Sequence, residues 1–91
     1  MKKIELNFKD CKYLGEIHKV LKKAFDFPDY YGENLSALWD LLDGYTDEQL
    51  YIHITGWESL PQEFSDYKTK MLNIFSRVTK NNPNITFEIL N

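Results

Sequence analysis

Apolar residues along this 91-residue chain change their period several times, and each change marks an element. From Lys2 to Phe8 they alternate, with Ile4, Leu6 and Phe8 opposed to Lys3, Glu5 and Asn7, which predicts a half-buried strand. From Glu16 to Phe25 the period becomes helical. Ile17, Val20, Leu21, Ala24 and Phe25 share a face, Lys19, Lys22 and Lys23 take the wet side, and Gly15 marks the start. Pro28 and Gly32 then enforce a loop holding Asp29, Tyr30 and Tyr31.

Asn34 suits an N-cap and Gly44 a terminator, so Leu35 to Asp43 is predicted as a helix of about 13 Å. Leu50 to Thr55 alternates again and predicts a second strand. Gly56 to Asp66 is irregular, with Trp57, Leu60 and Phe64 anchoring a short helical turn near Pro61. Ser65 or Asp66 is the expected cap of a longer helix to about Lys80, buried along Tyr67, Met71, Ile74, Phe75 and Val78. Asn81, Asn82 and Pro83 end it, and Ile85, Phe87 and Ile89 alternate as a third strand. Strands separated by helices predict an α/β fold: one domain over 1–91, with a small three-stranded parallel sheet covered by about three to four helices.

Composition narrows the class. Apolar residues at 43% and aromatics at 15% are those of a globular protein, which excludes a disordered chain. Cys11 is the only cysteine, so no intrachain disulfide can form. Met1-Lys2-Lys3 imitates a signal-peptide start, but the alternation that follows is not an apolar run, and no stretch approaches membrane-spanning length. The expectation is a cytoplasmic protein, monomeric when free, with no cofactor and no membrane partner.

Charge changes the picture more. All 11 basic residues lie outside Ala24–Tyr67, and that stretch holds Asp26, Asp29, Glu33, Asp40, Asp43, Asp47, Glu48, Glu58, Glu63 and Asp66. The net charge of −3 therefore conceals an acidic, aromatic-rich centre between basic flanks. Such a surface meets cations and repels nucleic acid. The bland account is that the flanks and the centre pair in space.

The predicted helix 35–43 is poorly built for stability. Leu35, Leu38, Leu41 and Leu42 share one side, Ser36, Asp40 and Asp43 point the opposite way, and Trp39 lies on the border. Asp40 and Asp43 sit at the negative end of the helix dipole, each costing about 0.3–1 kcal/mol. Their i, i+3 spacing adds repulsion of a few tenths of a kcal/mol. A solvated face that tolerates this penalty is the plain reading. Two such acids beside Tyr30, Tyr31, Trp39 and Tyr45 favour a face built to bind.

The run Tyr30-Tyr31-Gly32-Glu33-Asn34-Leu35-Ser36-Ala37-Leu38-Trp39-Asp40 resembles the signature of the barstar family, the intracellular inhibitors of barnase-type ribonucleases. Pro28 before it and Gly44 after it also fit, and weaker likeness extends over Ile17–Lys23 and Ile85–Leu90. The resemblance implies a three-stranded parallel sheet covered by helices, and an inhibitor that plugs a basic active-site cleft in a 1:1 complex. Asp40 would imitate a substrate phosphate and Tyr30 would stack on the catalytic histidine. Asn34, Leu35, Trp39, Gly44 and Tyr45 would fill out the contact, and Tyr31, Gly32, Ser36 and Asp43 belong to the same candidate face. The chain departs from the family at Ser36 and Arg77, where acidic contacts are expected, and at Tyr45, which replaces a tryptophan. Asp43 adds a carboxylate. These departures imply a changed target, a diverged ribonuclease or another toxin with a basic cleft.

Three other readings stay open. A carboxylate-based hydrolase would use Asp40 and Asp43, but no histidine is near them in sequence, and His18 and His53 lack ligand spacing for a metal. A nucleic-acid module would use Lys19, Lys22, Lys23, Lys68 and Lys70, yet the aromatics lie among the acids instead. A regulatory module would mask a basic surface on a partner that is not a nuclease.

Overall fold

Strands β1 (Lys2–Asn7), β2 (Leu50–Thr55) and β3 (Ile85–Ile89) form one parallel sheet in the order β1-β2-β3 in the computed structural model, which describes residues 2–44 and 49–90. Their register stacks apolar rows: Ile4 opposes Ile52 and Ile52 opposes Phe87, while Leu6 opposes Ile54 and Ile54 opposes Ile89. Burial alternates along β1 from Lys3 to Asn7, so one face of the sheet carries the core and the other faces water.

Parallel neighbours need crossovers, and helices supply them. Helices α1 (Leu14–Phe25) and α2 (Leu35–Asp43) lie between β1 and β2, and α3 (Ser65–Asn81) lies between β2 and β3. Each contributes an apolar stripe to one continuous core: Ile17, Leu21 and Phe25 from α1, Leu38 and Leu42 from α2, and Met71, Phe75 and Val78 from α3. Each such side chain stabilises the fold by about 1.5–3 kcal/mol through burial. Among the described residues no helix is long and apolar enough to cross a membrane.

Two helix starts differ from the sequence expectation, each for a local reason. Helix α1 begins at Leu14 with Gly15 inside its first turn, because the Glu16 carboxylate reaches back to accept the N–H groups of Lys12 (2.8 Å) and Tyr13 (3.2 Å). Neither Ser65 nor Asp66 caps α3. A 3-10 turn over Gln62–Phe64 runs straight into the helix, Phe64 takes the cap position without a side-chain bond, and Asp66 instead pairs with Lys70 at 3.4 Å.

Gly56 fixes how β2 leaves the sheet. Its φ is +72°, and a Cβ placed there would lie 2.4 Å from the Lys9 nitrogen and 2.9 Å from the Phe8 carbonyl carbon. The exit of β2 thus packs backbone against backbone on the segment following β1. We expect Gly56→Ala to lower the unfolding free energy by more than about 2 kcal/mol in denaturant titration. A loss below about 0.5 kcal/mol would show that the two segments can part freely.

Candidate functional site

The site begins where α1 ends. Asp26 occupies the left-handed region at φ 56°, and two backbone bonds close the end of the helix: Asp26 N–H to Lys23 O at 3.4 Å and Phe27 N–H to Lys22 O at 3.0 Å. This 6→1 and 5→2 pairing is a Schellman motif with an aspartate where glycine is usual. Phe27 then stacks on Phe25 with ring centroids 5.1 Å apart.

The chain turns at once, Tyr31 N–H donating to Pro28 O at 2.9 Å, and the two tyrosines of that turn part company. Tyr30 is 78% exposed, whereas Tyr31 is 5% exposed. The Tyr31 ring packs on Phe27 at 4.9 Å, and its hydroxyl meets His18 Nδ1 at 2.6 Å. On the other side of the imidazole, Nε2 meets the Tyr67 hydroxyl. One buried histidine thereby joins α1, the α1–α2 loop and α3.

The electrostatics of this relay follow from burial. Loss of water pushes the His18 pKa down, opposed by the nearby Glu33 charge. Burial likewise pushes both tyrosine hydroxyls up, so they stay protonated. A neutral imidazole carries one N–H donor and one acceptor nitrogen, and each hydroxyl can fill either complementary role. Among the described residues no buried side-chain nitrogen or oxygen is left without a hydrogen-bond partner.

Past the turn, Glu33 sits at φ 51° and hands the chain to Asn34, the N-cap of α2. Asn34 Oδ1 accepts the Ala37 N–H at 2.8 Å, and its Nδ2 donates to Gly32 O at 3.2 Å, so this side chain fixes both the loop and the helix start. Leu38 and Leu42 face the core, and Leu35 and Trp39 are half-buried. Ser36, Asp40, Asp43 and Gly44 are exposed. The Asp40 carboxylate is not turned inward: among the described residues it has neither a hydrogen bond nor an ion pair.

Across from it runs a wall of α3. A groove of about 450 Å³ has Leu35, Trp39 and Asp40 on the α2 side and Lys70, Ile74 and Arg77 on the α3 side. The Arg77 guanidinium carbon lies 5.0 Å from the Trp39 ring centroid. The rest of the surface offers less chemistry. Burial, and then Glu16 and Asp10, push the Cys11 thiol up and away from the reactive thiolate. Lys22 pairs with the loop carboxylate of Asp29 at 3.5 Å, and Lys68 lies over the Trp57 ring. Among the described residues no cluster of three or more His, Cys, Asp or Glu side chains is arranged to hold a metal ion.

A parallel three-stranded sheet with the loop 26–34 leading into an acidic helix is the arrangement on which known proteins can be compared. The family model described as "Barstar (barnase inhibitor)" matches residues 1–90. The chain belongs to the barstar family. A protein of Bacillus subtilis (strain 168) named "Putative ribonuclease inhibitor YrdF" is 36% identical over 74 residues, which is 81% of this chain and 81% of that one.

Of the eleven residues that sequence reading assigned to the barstar-like face, Tyr30, Gly32, Asn34, Ser36, Asp40, Asp43 and Gly44 are exposed along one continuous stretch, and Leu35 and Trp39 are half-buried beside them. Tyr31 belongs to the core, held there by His18, and its part is to aim Tyr30 outward. Tyr45 lies outside the described residues. Sequence reading missed Lys70, Asn73 and Ile74 as the opposing wall. Its signal was available: residues 70, 73, 74 and 77 form a second helical stripe beside the buried one, and Ile74 is only half-buried because it borders the groove.

Two measurements check this architecture. A histidine held neutral by burial binds fewer protons in the fold than in the unfolded chain, so stability is full at neutral pH. It falls as pH drops below the usual value of 6.5, until the folded pKa is reached. Unfolding free energy measured from pH 7.5 to 5 is expected to show this decline in the wild type and a flatter profile in His18→Gln. Separately, Asp43→Lys is expected to stabilise the protein by about 0.5–1 kcal/mol, because a cation then faces the negative end of α2. A destabilised Asp43→Lys variant would mean that the carboxylate is structurally engaged.

Proposed function

We propose that this protein is a ribonuclease inhibitor, a binding protein and not an enzyme, that plugs the basic active-site cleft of a cognate nuclease with the loop 28–34 and the outer face of α2. The observation that carries the reading is the Asp40 carboxylate, exposed and, among the described residues, unpartnered at the C-terminal end of a helix whose dipole disfavours it. An anion held at such a position is stabilised once cations surround it, and a nuclease cleft shaped for phosphates supplies them. Membership of a family described as barnase inhibitors, and a relative named as a ribonuclease inhibitor, support the same reading.

In this role Asp40 stands in for a substrate phosphate, and Tyr30 offers its ring to the enzyme's catalytic histidine. Leu35 and Trp39 supply apolar contact, with Gly32, Asn34, Ser36, Asp43 and Gly44 around them, and the family resemblance adds Tyr45. Tyr31 acts from within, fixing the turn before the partner arrives, which reduces the ordering cost of binding. The complex is 1:1 and the biological role is protective: an immunity protein, or antitoxin, that acts in the cytoplasm. The acidic stretch steers a basic nuclease toward this face before contact.

With a basic ribonuclease that the wild-type protein inhibits as the test enzyme, Asp40→Ala is expected to weaken binding by at least ~2 kcal/mol and Tyr30→Ala by a smaller amount. The size of that effect is inherited from the family's type complex, barnase with barstar, in which such charge pairs were measured. Association rates by stopped flow are expected to fall steeply between about 0.05 and 0.5 M salt as screening shortens the field. Wild-type affinity in both variants would exclude the plug.

A further inference from the structure

Asp40 and Arg77 face the same groove, yet no ion pair joins them. The contact recorded for the Arg77 guanidinium is the Trp39 ring, 5.0 Å from its carbon to the ring centroid, and the side chain as a whole is exposed. Lys70, two turns earlier on the same helix, is partly engaged by Asp66 at 3.4 Å. The α3 wall therefore holds one cation whose planar head rests on an aromatic face and whose N–H groups, among the described residues, serve no carboxylate.

Stacking on an aromatic ring restrains a guanidinium without consuming its hydrogen-bond fork. That fork matches a carboxylate in bidentate geometry. The opposite wall offers the reverse chemistry, an acceptor-only carboxylate that has no partner among the described residues. Resting on the plug reading above, we propose that the groove recognises two signs side by side: Asp40 takes a cation from the floor of the nuclease cleft, and Arg77 takes an aspartate or glutamate side chain from the lip of that cleft. Arg77 is thus a specificity-determining residue. It favours a nuclease with an acidic lip and repels one whose lip is basic throughout, so it excludes near relatives of the true target as well as contributing contact. A phosphate would also suit the guanidinium fork. However, Asp40 lines the same groove, and its carboxylate repels a polyanion more strongly than a single carboxylate side chain docking at the α3 wall.

The test is a selection. A catalytically inactivated barnase library, randomised at the residues lining the cleft lip, is displayed and captured on immobilised wild-type protein and on Arg77→Glu. Clones held by the wild type are expected to be enriched at least tenfold in Asp or Glu at one lip position, and Arg77→Glu is expected to shift that position to Lys or Arg. Selection of the same lip residues by both proteins, or of a basic lip by the wild type, overturns the proposal. So does a single-stranded RNA oligomer that binds the wild type and not Arg77→Glu at 0.15 M salt. Failure of the plug reading is visible separately, as capture of no clone, or of clones whose binding survives Asp40→Ala, and it removes this proposal with it.

Discussion

The geometry of this molecule depends on a histidine buried between two tyrosine hydroxyls. His18 comes from α1, Tyr31 from the loop before α2, and Tyr67 from the first turn of α3, so the relay ties together three segments that hydrophobic burial alone would leave free to slide. Burying three polar groups would cost several kcal/mol were any of them unpaired. Paired, they form a directional constraint inside a core whose other contacts are non-directional. The arrangement in the structure satisfies both nitrogens. In that arrangement Tyr31 points inward and Tyr30, its neighbour, points to solvent.

The constraint explains how a loop of seven residues between Asp26 and Asn34 can act as part of a rigid surface. Its start is closed by the Schellman bonds at Asp26 and Phe27, its middle by the turn at Pro28, and its end by the Asn34 cap. Rigidity has a known use in recognition: side chains already ordered lose little entropy on binding. The same order lets the protein hold an unfavourable arrangement. Two acids at the wrong end of α2, and Glu33 at positive φ, are disfavoured locally by roughly 1 kcal/mol each and are carried by the core beneath. Departure from local stability at one place, in a chain otherwise consistent, is where function is to be sought.

Much of this was legible in the sequence, because much of it is local. Period and caps placed α2 at Leu35–Asp43 and β2 at Leu50–Thr55 without error, since Asn34, Gly44 and Gly56 punctuate them. The parallel sheet followed from the order of elements, and the acidic face from counting charges. What sequence could not display were the contacts between residues far apart along the chain. Tyr31 and Tyr30 are chemically alike, and only His18, thirteen residues away, decides which is buried. Ser65 looked like a cap until the 3-10 turn before it took over the helix start. Arg77 stood out only as a charge of the wrong sign. Its place over Trp39 arises from packing between α2 and α3, which neither helix encodes alone.

The mixed charge of the groove is compatible with an acidic face because the two act over different distances. Ten acids spread over 44 residues of sequence create a field that a basic partner senses from beyond contact, limited by a screening length of about 8 Å at physiological salt. At that range a single guanidinium is a small correction. At contact the order reverses: water is expelled, the local dielectric falls, and the charge directly opposite decides whether a pose is held or rejected. On the proposed plug reading, Asp40 and the acids around it would set how fast a partner arrives, while Arg77, resting on Trp39, would govern which partner stays. Separating these tasks lets one small surface be attractive to a whole class of basic proteins and still selective among them.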